Sequence, residues 1–365
     1  MLLRELLTHL EELAPTRHAE SWDNVGLLAG DPGQEVRTAL LAIDYTPEVA
    51  REARELGCEL VIAYHPPLFN AVKRVVFPDP IFDAIRNGVA LYSPHTALDV
   101  AEGGTNDLLA DLLGLAPSPG RQPLRFIEPK AGEHKLVTFV PESHVEAVAM
   151  ALFEAGAGRI GHYERCSFRT PGTGTFIGGA ESHPTVGSRG AYEQTPEIKI
   201  ETLCPISRLP DALAALRRAH PYEEPAFDIV KLAAPADKIG QGRIGNLPPT
   251  PVTELVARIK RELNLPYVLL AGPAEQIITR AAVLAGGGRE HLKDALAQGA
   301  QLYLTGEIPH HEALAAAKAG CTVVATLHSN SERATLKRVR DRLTDRAAGV
   351  SFLLSAVDRD PFQVV

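Results

Sequence analysis

The sequence predicts an α/β fold whose chain is interrupted by an inserted α+β domain. Short apolar segments alternate with helical segments in the first third of the chain, and the same alternation returns in the last third. The middle of the chain instead has the order β-α-β followed by β-α-β, which is that of a ferredoxin-like unit. We therefore expect one outer body formed by residues 1–126 and 236–365, interrupted by an insert at 127–235.

The elements of the first third follow from hydrophobic periodicity and from helix start and stop signals. Leucines at helical spacing predict a helix up to about residue 13. The apolar run from Thr38 to Asp44 suits a buried parallel strand. A proline in the first turn and Gly57 after the last turn delimit a helix at Pro47–Leu56. Further strands are expected at Glu59–Ala63 and Val89–Tyr92, and a further helix near Ile81–Arg86.

Segments rich in proline and glycine separate the middle of the chain from its neighbours. The middle is expected to contain strands at Lys135–Val140, around Arg165–Phe168, at Glu197–Cys204 and at Ala226–Lys231, with helices at Val145–Ala155 and Ser207–Ala219. The last third is expected to contain strands at Ile277–Leu284, Gln301–Thr305 and Thr322–Leu327, with helices at Val252–Leu263, His311–Ala319 and Ser331–Leu343. Because the last third repeats the alternation of the first, we assign both to one body.

Composition and charge exclude some classes of function. Of the 365 residues, 45% are hydrophobic and 22% are charged, as in soluble globular proteins. The formal net charge of −8 argues against general nucleic-acid or membrane-surface binding, which requires a basic face. The four cysteines are widely spaced, which is typical of reduced thiols in a cytoplasmic protein, and no apolar run is long enough to span a membrane.

Imidazoles and carboxylates follow several of the predicted strands. His65, Asp99 and His328 each come after a strand, and Glu332 lies one helical turn beyond His328. Ligands of open α/β sheets bind at the carboxyl ends of strands, so we expect these side chains at one sheet edge. Imidazole nitrogens suit zinc, iron or manganese, and carboxylates add oxygen donors and negative charge. The pattern therefore indicates a divalent-metal site formed by these four residues.

Each of these residues also has a purely structural alternative. A single histidine after a strand is more often a hydrogen-bonded structural residue. Asp99 suits the cap of a turn or a helix. Ser329–Glu332 fits a capping box, in which Glu332 would reach back to the helix start instead of binding a metal. The pattern alone leaves the metal site and its structural alternatives about equally supported.

Other polar segments are weaker candidates. Thr305 and Glu307 end a predicted strand and suit either partners that orient metal ligands or a cap of the next helix. Gly286–Gly288 lies between a strand and a helix, where it would receive an anion or form a tight turn. Trp22–Asn24 suits a functional loop or a loop anchored by a buried tryptophan. No P-loop, Gly-x-Ser-x-Gly or Cys/His nucleophile motif appears, so no catalytic residue is assigned.

Five ordered motifs of the outer body resemble those of the Nif-three-like family, dinuclear-metal proteins often labelled GTP cyclohydrolase type two homologues. The motifs are Ser21-Trp22-Asp23-Asn24-Val25-Gly26-Leu27, Tyr64-His65-Pro66-Pro67-Leu68-Phe69, His95-Thr96-Ala97-Leu98-Asp99, Leu304-Thr305-Gly306-Glu307 and His328-Ser329-Asn330-Ser331-Glu332-Arg333. The insert looks like the PII/CutA-type domain of longer bacterial members, through Gly158-Arg159-Ile160-Gly161-His162-Tyr163 and His220-Pro221-Tyr222-Glu223-Glu224-Pro225.

This resemblance implies a three-layer α/β body and hexameric rings around a central cavity, with metal pairs facing inward. By motif, the metal ligands of the family match His65, Asp99, His328 and Glu332, and the residues near the site are Tyr64, His95, Thr305 and Glu307. One or two ions of zinc, iron or manganese per chain are expected. Many bacterial members have two adjacent histidines where this chain has Tyr64-His65, so one nitrogen ligand is missing.

The resemblance also implies a function, for which two hypotheses remain open. The first is a metal-dependent hydrolase that acts on a nucleotide or another phosphorylated small molecule, since a divalent metal lowers the pKa of water and activates it near neutral pH. The second is a non-enzymatic hexameric scaffold or regulatory protein whose insert senses a ligand. An open coordination position favours the hydrolase, and a saturated one favours the scaffold.

Overall fold

The structure is a computed structural model that describes residues 1–117, 120–126, 133–160, 163–232 and 239–363. The chain forms two compact units. The first unit consists of Met1–Ile127 and Asp237–Val365, and the second unit is Glu128–Ala236. The expected domain junctions at residues 127 and 235–236, and Gly161 and His162 of one insert motif, lie outside the described residues.

The helices and strands of the described residues are numbered in chain order. The first segment contains α1 (Leu3–Leu13), β1 (Gly26–Ala29), β2 (Thr38–Ala42), α2 (Pro47–Glu55), β3 (Leu60–Ala63), α3 (Pro80–Arg86), β4 (Ala90–Ser93), α4 (His95–Val100), α5 (Thr105–Leu113), β5 (Arg121–Gln122) and β6 (Arg125–Phe126). The middle segment contains β7 (Glu133–Pro141), α6 (Val145–Glu154), β8 (Phe168–Ile177), β9 (Tyr192–Pro205), α7 (Leu209–Ala219) and β10 (Phe227–Lys231). The last segment contains β11 (Gly240–Gln241), β12 (Arg243–Pro251), α8 (Val252–Glu262), β13 (Leu269–Ala271), β14 (Ile277–Gly287), α9 (Leu292–Ala297), β15 (Leu302–Glu307), α10 (His310–Lys318), β16 (Thr322–Ala325), α11 (His328–Arg346) and β17 (Ser351–Leu354). Within these described elements, no helix combines the length and the apolarity that crossing a membrane requires.

The first unit is built on two mixed sheets whose central strands are parallel. The five-stranded sheet has the order β1-β4-β3-β2-β17, in which β4, β3, β2 and β17 are parallel and β1 is antiparallel to β4. The six-stranded sheet has the order β13-β16-β15-β14-β12-β5, with β14, β15 and β16 parallel and the outer strands antiparallel. The mixed α/β class is confirmed. The strand ends that we expected at one sheet edge belong to two sheets.

Both faces of each large sheet are buried, which explains the continuous apolar runs in the sequence. Along β2, Leu41 belongs to a core cluster that includes α1 and α11, whereas its neighbour Leu40 belongs to a cluster that includes α2. Along β15, Leu304 packs with α5 and α8, and Tyr303 packs with α9 and α10. Strands covered by helices on both sides have no polar face, so they show apolar runs in place of alternation.

The sequence pattern misplaces some of these elements. A strand was expected only around Arg165–Phe168, but β8 extends to Ile177 and pairs with β9 along its whole length. The residues of β8 are largely exposed and glycine-rich, so the strand lacks the apolar alternation on which strand prediction depends. The pattern also places the start of α11 at Ser331, whereas the helix begins at His328.

The second unit is an antiparallel sheet covered by two helices. Its sheet has the order β10-β7-β9-β8, and every neighbouring pair is antiparallel. Along the chain its elements follow one another as strand, helix, strand, strand, helix and strand. Leu152 of α6 and Leu216 of α7 belong to one buried cluster with Leu136 and Ile200 of the sheet. This cluster gives the unit a core of its own.

A buried ion pair joins α5 to β12 in the first unit. The side chains of Arg243 and Asp107 are 4% and 6% exposed, and the Nε of Arg243 is 2.7 Å from the Oδ1 of Asp107. The guanidinium also donates to the backbone carbonyls of Gly240, Gly242, Val100 and Ala101. Burial acts to raise the pKa of Asp107, but the contacts with Arg243 outweigh it and hold that pKa below its usual value. The carboxylate therefore stays charged and compensates the arginine.

Candidate metal centre

His65 lies just beyond the carboxyl end of β3, and Asp44 fixes its ring. The Nδ1 of His65 is 2.9 Å from the Oδ1 of Asp44. Asp44 follows β2, which is the neighbour of β3 in the sheet, so two adjacent strand ends supply the pair. With Nδ1 held by a carboxylate, Nε2 is the ring nitrogen left for another ligand.

His328 and Glu332 lie on one face of the first turns of α11, four residues apart. The Nδ1 of His328 is 3.0 Å from the Oε1 of Glu307 at the end of β15, and its Nε2 is 3.4 Å from the Oε1 of Glu332. Glu332 is 3% exposed. Among the described residues, no side chain caps the start of α11. The capping-box alternative for Glu332 is therefore wrong.

Three potential ligands converge from the end of β3 and from the start of α11. The ligand atoms of His65, His328 and Glu332 all lie within 4.8 Å of one another. The Nε2 of His65 and the Oε2 of Glu332 are 3.2 Å apart, yet neither has a hydrogen-bond partner among the described residues. Unpartnered buried polar atoms are rare in proteins, and two imidazoles with one carboxylate form a known donor set for divalent metals. These residues therefore fit a divalent metal ion.

The electrostatics of the cluster favour a positive charge on or near the His65 ring. Burial of the ring opposes protonation, but the contacts with Asp44 and Glu332 outweigh burial and raise the pKa of His65 to about 10. Burial likewise acts to raise the pKa of Asp44, and the His65 imidazole outweighs it and holds that pKa below its ordinary value. A metal that binds Nε2 must therefore displace a proton.

Zinc binding should consequently depend on pH. Because the pKa of His65 is raised to about 10, we expect the apparent zinc affinity to rise about tenfold per pH unit between about pH 6 and 8, as measured by competition with a chromogenic chelator. In the metal-free protein, the stabilisation from protonated His65 is complete below the unfolded-state pKa of about 6.5 and is lost as the pH rises toward 10. A zinc affinity that does not change with pH would contradict proton displacement.

Asp99, the fourth ligand expected from the sequence, lies outside the group of three. It is on α4, and its Oδ1 accepts a hydrogen bond from the hydroxyl of Tyr64, which also lies 2.8 Å from the Oγ1 of Thr105. Burial and the nearby carboxylate of Glu332 raise the pKa of Asp99 to about 6, against the effect of the Tyr64 hydrogen bond. The structure thus places Asp99 near Glu332, and its role as a ligand stays a prediction.

His95 lies beside the cluster and is oriented by Asp23. The Nδ1 of His95 is 2.8 Å from the Oδ1 of Asp23, and the His95 ring centroid is 5.4 Å from that of His65. The loop that contains Trp22 therefore supplies a carboxylate to a histidine near the site. Trp22 itself is 56% exposed, so the alternative of a buried tryptophan anchor is wrong.

With this geometry established, comparison with known proteins identifies the family. The sequence profile of the Duf34/NIF3 (NGG1p interacting factor 3) family matches residues 1–361. The chain belongs to the Duf34/NIF3 family. A Halalkalibacterium halodurans protein named GTP cyclohydrolase 1 type 2 homolog is 35% identical over 366 residues, which cover 97% of this chain and 96% of that protein.

Solved structures resemble the chain over its whole length. A Bacillus cereus protein related to NIF3 is 34% identical, with a TM-score of 0.67, and the match covers 100% of this chain and 99% of that one. A Staphylococcus aureus protein is 29% identical, with a TM-score of 0.75 and the same coverage of both chains. The Nif-three-like resemblance stated from the motifs is therefore confirmed.

In this NIF3-family chain, Gly286–Gly288 serves the site in a way that the sequence does not predict. Gly286 and Gly287 end β14, and α9 begins only at Leu292 and has six residues, so the glycines do not lead directly into a helix. At Gly286, φ is +65°, and an added Cβ would lie 2.8 Å from the Oε1 of Glu332 and 3.2 Å from the Nε2 of His328. At Gly288, an added Cβ would lie 2.4 Å from the Oγ1 of buried Thr305. The glycines allow β14 to approach the cluster closely.

The variant Gly286→Ala should therefore weaken zinc binding about tenfold or more. The new methyl group would displace Glu332 or His328, and a side chain at this positive φ costs roughly 1–2 kcal/mol. Gly287→Ala is the matched control, because an added Cβ at Gly287 meets nothing within 4 Å. Zinc titrations of both variants measure the difference. Equal affinities would show that Gly286 is not needed for the arrangement of the ligands.

Sequence reasoning missed two residues of this NIF3-family site. Asp44 ends an apolar run at the same sheet edge as His65, so the strand-end rule was sufficient to find it. Ser331 donates to the backbone carbonyl of His328 at 2.7 Å and accepts from the backbone nitrogen of Gly286 at 2.8 Å. No local pattern predicts the second contact, because it joins residues 45 positions apart.

Proposed function

We propose that this chain binds a divalent metal ion through His65, His328 and Glu332 and hydrolyses a nucleotide or another phosphorylated small molecule. The observation that supports the proposal is the convergence of three donor side chains, two of which present atoms without hydrogen-bond partners among the described residues. The side chains of His65 and His328 are 23% and 40% exposed, so a small molecule can reach the cluster from solvent.

The surrounding residues hold the potential ligands in an arrangement that suits metal-dependent hydrolysis. When bound, a divalent ion acts as a Lewis acid and makes water acidic enough to react near neutral pH. Asp44 and Glu307 hold the Nδ1 atoms of the two histidines, which fixes both rings and leaves their Nε2 atoms for coordination. Glu332 supplies a buried negative charge between the imidazoles. The side chain of Glu307 is 58% exposed and is placed to exchange a proton with solvent.

A turnover screen with controlled metal loading tests this proposal. Protein loaded with zinc, manganese or iron would be assayed against nucleotides and phosphoesters, beginning with GTP because curated relatives are named GTP cyclohydrolase 1 type 2 homolog. We expect hydrolysis that is lost on chelation and recovered when the same ion is added back. If protein shown to hold the metal turns over no member of the panel, the hydrolase proposal fails.

Regulation by a ligand of the second unit is a second candidate function. The sheet order and the succession of its elements support a ferredoxin-like insert of the PII/CutA type. This unit has a cavity of about 620 Å³ between glycine-rich β8, the side chains of Phe139 and Tyr222, and residues 182–186. That volume suits a small molecule. A metabolite that raises the melting temperature of the wild type, but not of Gly174→Val, would support this function, since a Cβ at Gly174 meets Glu197.

We also propose that the chain assembles as a homohexamer, as the family resemblance implies. β13 lies at the edge of the six-stranded sheet, and its residues Leu269 and Leu270 are 58% and 40% exposed. Apolar edge strands are normally covered in the functional assembly. Light scattering in solution should give the mass of six chains, and the mass of one chain would contradict the proposal.

A further inference from the structure

The environment of Tyr64 bears on how many metal ions the site holds. Tyr64 directly precedes His65 and is fully buried. Its hydroxyl donates to the Oδ1 of Asp99 and lies 2.8 Å from the Oγ1 of Thr105. A phenol has a single O–H, and here it is directed at Asp99. An ion could use the oxygen of Tyr64 only by displacing Asp99 and Thr105 from it, whereas a hydrogen-bonded carboxylate can still bind a metal through its other oxygen.

Among the described residues, the potential metal ligands form one group of three. His65, His328 and Glu332 present three ligand atoms within 4.8 Å of one another, and Asp99 is not a member of that group. Metal sites with an open position usually have three protein ligands. A further imidazole close enough to act on the charge of Asp99 is that of His95, whose Nδ1 is held by Asp23. A carboxylate engaged by Tyr64 and one imidazole do not make a second set of three, because a neutral phenol is a poor donor beside imidazole.

We propose that Tyr64 limits this site to one divalent ion per chain. It does so by placing a phenol, a poor metal donor, where a nitrogen donor would complete a second set of ligands. This inference rests on the proposed metal site and deepens it. The family resemblance implies a pair of metals, and the residues of this chain do not fit the second member of the pair.

Counting zinc ions in the wild type, Tyr64→His and Tyr64→Phe tests the proposal. Each full-length protein would be loaded with zinc, freed of unbound ion and analysed by plasma mass spectrometry, with circular dichroism as the check of folding. We expect one ion in the wild type, two in Tyr64→His and one in Tyr64→Phe. The histidine adds a nitrogen donor and releases Asp99, whereas the phenylalanine removes the hydroxyl without adding a donor.

The outcomes separate this inference from the proposed function on which it rests. Wild-type protein without zinc would overturn the metal site itself. Two ions in the wild type or in Tyr64→Phe, or one ion in folded Tyr64→His, would overturn the role of Tyr64 while leaving the metal site in place.

A second variant keeps the inference testable if Tyr64→His does not fold. Asp99→Asn preserves the size of the side chain and its contact with Tyr64. If the single ion is bound only by His65, His328 and Glu332, the zinc affinity of Asp99→Asn should stay within a few-fold of the wild-type value. Glu332→Gln, a change of the same kind at one of the three ligands, should lower it far more. Equal and large losses in both variants would show that Asp99 binds the ion, and would overturn the inference.

Discussion

The variant His65→Ala should lose zinc binding almost completely. His65 supplies one of three converging donors, and its ring separates the carboxylates of Asp44 and Glu332. Removal of the ring leaves an incomplete ligand set between two negative charges. The loss should exceed the roughly 10–100-fold weakening that follows removal of an outer partner of a ligand, which is the loss we expect for Asp44→Asn.

The control for this prediction is His144→Ala. His144 is an exposed histidine of the second unit, and its ring contacts Ser143. Its replacement should leave the zinc affinity unchanged. Zinc content after dialysis and competition with a chelator measure all three variants. If His65→Ala retained wild-type affinity, the ion would be bound elsewhere.

Loss of the buried partner of Arg243 should give the largest change in stability. Asp107→Ala leaves a guanidinium that is 4% exposed without a counter-charge, and breaking a buried pair in this way costs about 3–5 kcal/mol. Asp111→Ala is the matched control on the same helix. Asp111 pairs with Arg121 and Arg338 but is 43% exposed, and surface pairs of this kind contribute about 0–1 kcal/mol.

Urea unfolding followed by fluorescence measures the difference between Asp107→Ala and Asp111→Ala. Trp22 is the single tryptophan of the chain and lies in the same unit as Arg243, so its emission reports the unfolding of that unit. A much larger loss of unfolding free energy in Asp107→Ala is expected. Similar losses in the two variants would show that the buried pair is not the main link between α5 and β12.

Local patterns predicted the central strands well but could not assign them to sheets. β2, β3 and β4 are apolar runs because helices cover both faces of their sheet, and the same holds for β14, β15 and β16. The apolar pattern predicts that a strand is buried, but it does not predict which strands are its neighbours in the sheet. The position of His65 and His328 after strands therefore predicted that they are functional residues. It did not predict that the two strands belong to different sheets, because that depends on how the whole first unit packs.

The sequence predicted those site residues that follow a strand or that lie one helical turn from such a residue. The four-residue spacing placed Glu332 beside His328, as the structure shows. The position of the Asp99 side chain was not predictable, because it depends on a hydrogen bond from Tyr64, which is 35 residues away in sequence. The close approach of Gly286 to the ligands was also not predictable, because a glycine cluster after a strand is more typical of a turn.

Anomalous X-ray diffraction from zinc-loaded crystals would locate the bound ion. We expect one zinc peak per chain at about 2 Å from the Nε2 atoms of His65 and His328, with a carboxylate oxygen of Glu332 as the third protein ligand. A zinc peak bound by other residues, or no peak at this cluster in protein that contains zinc, would contradict binding at His65, His328 and Glu332.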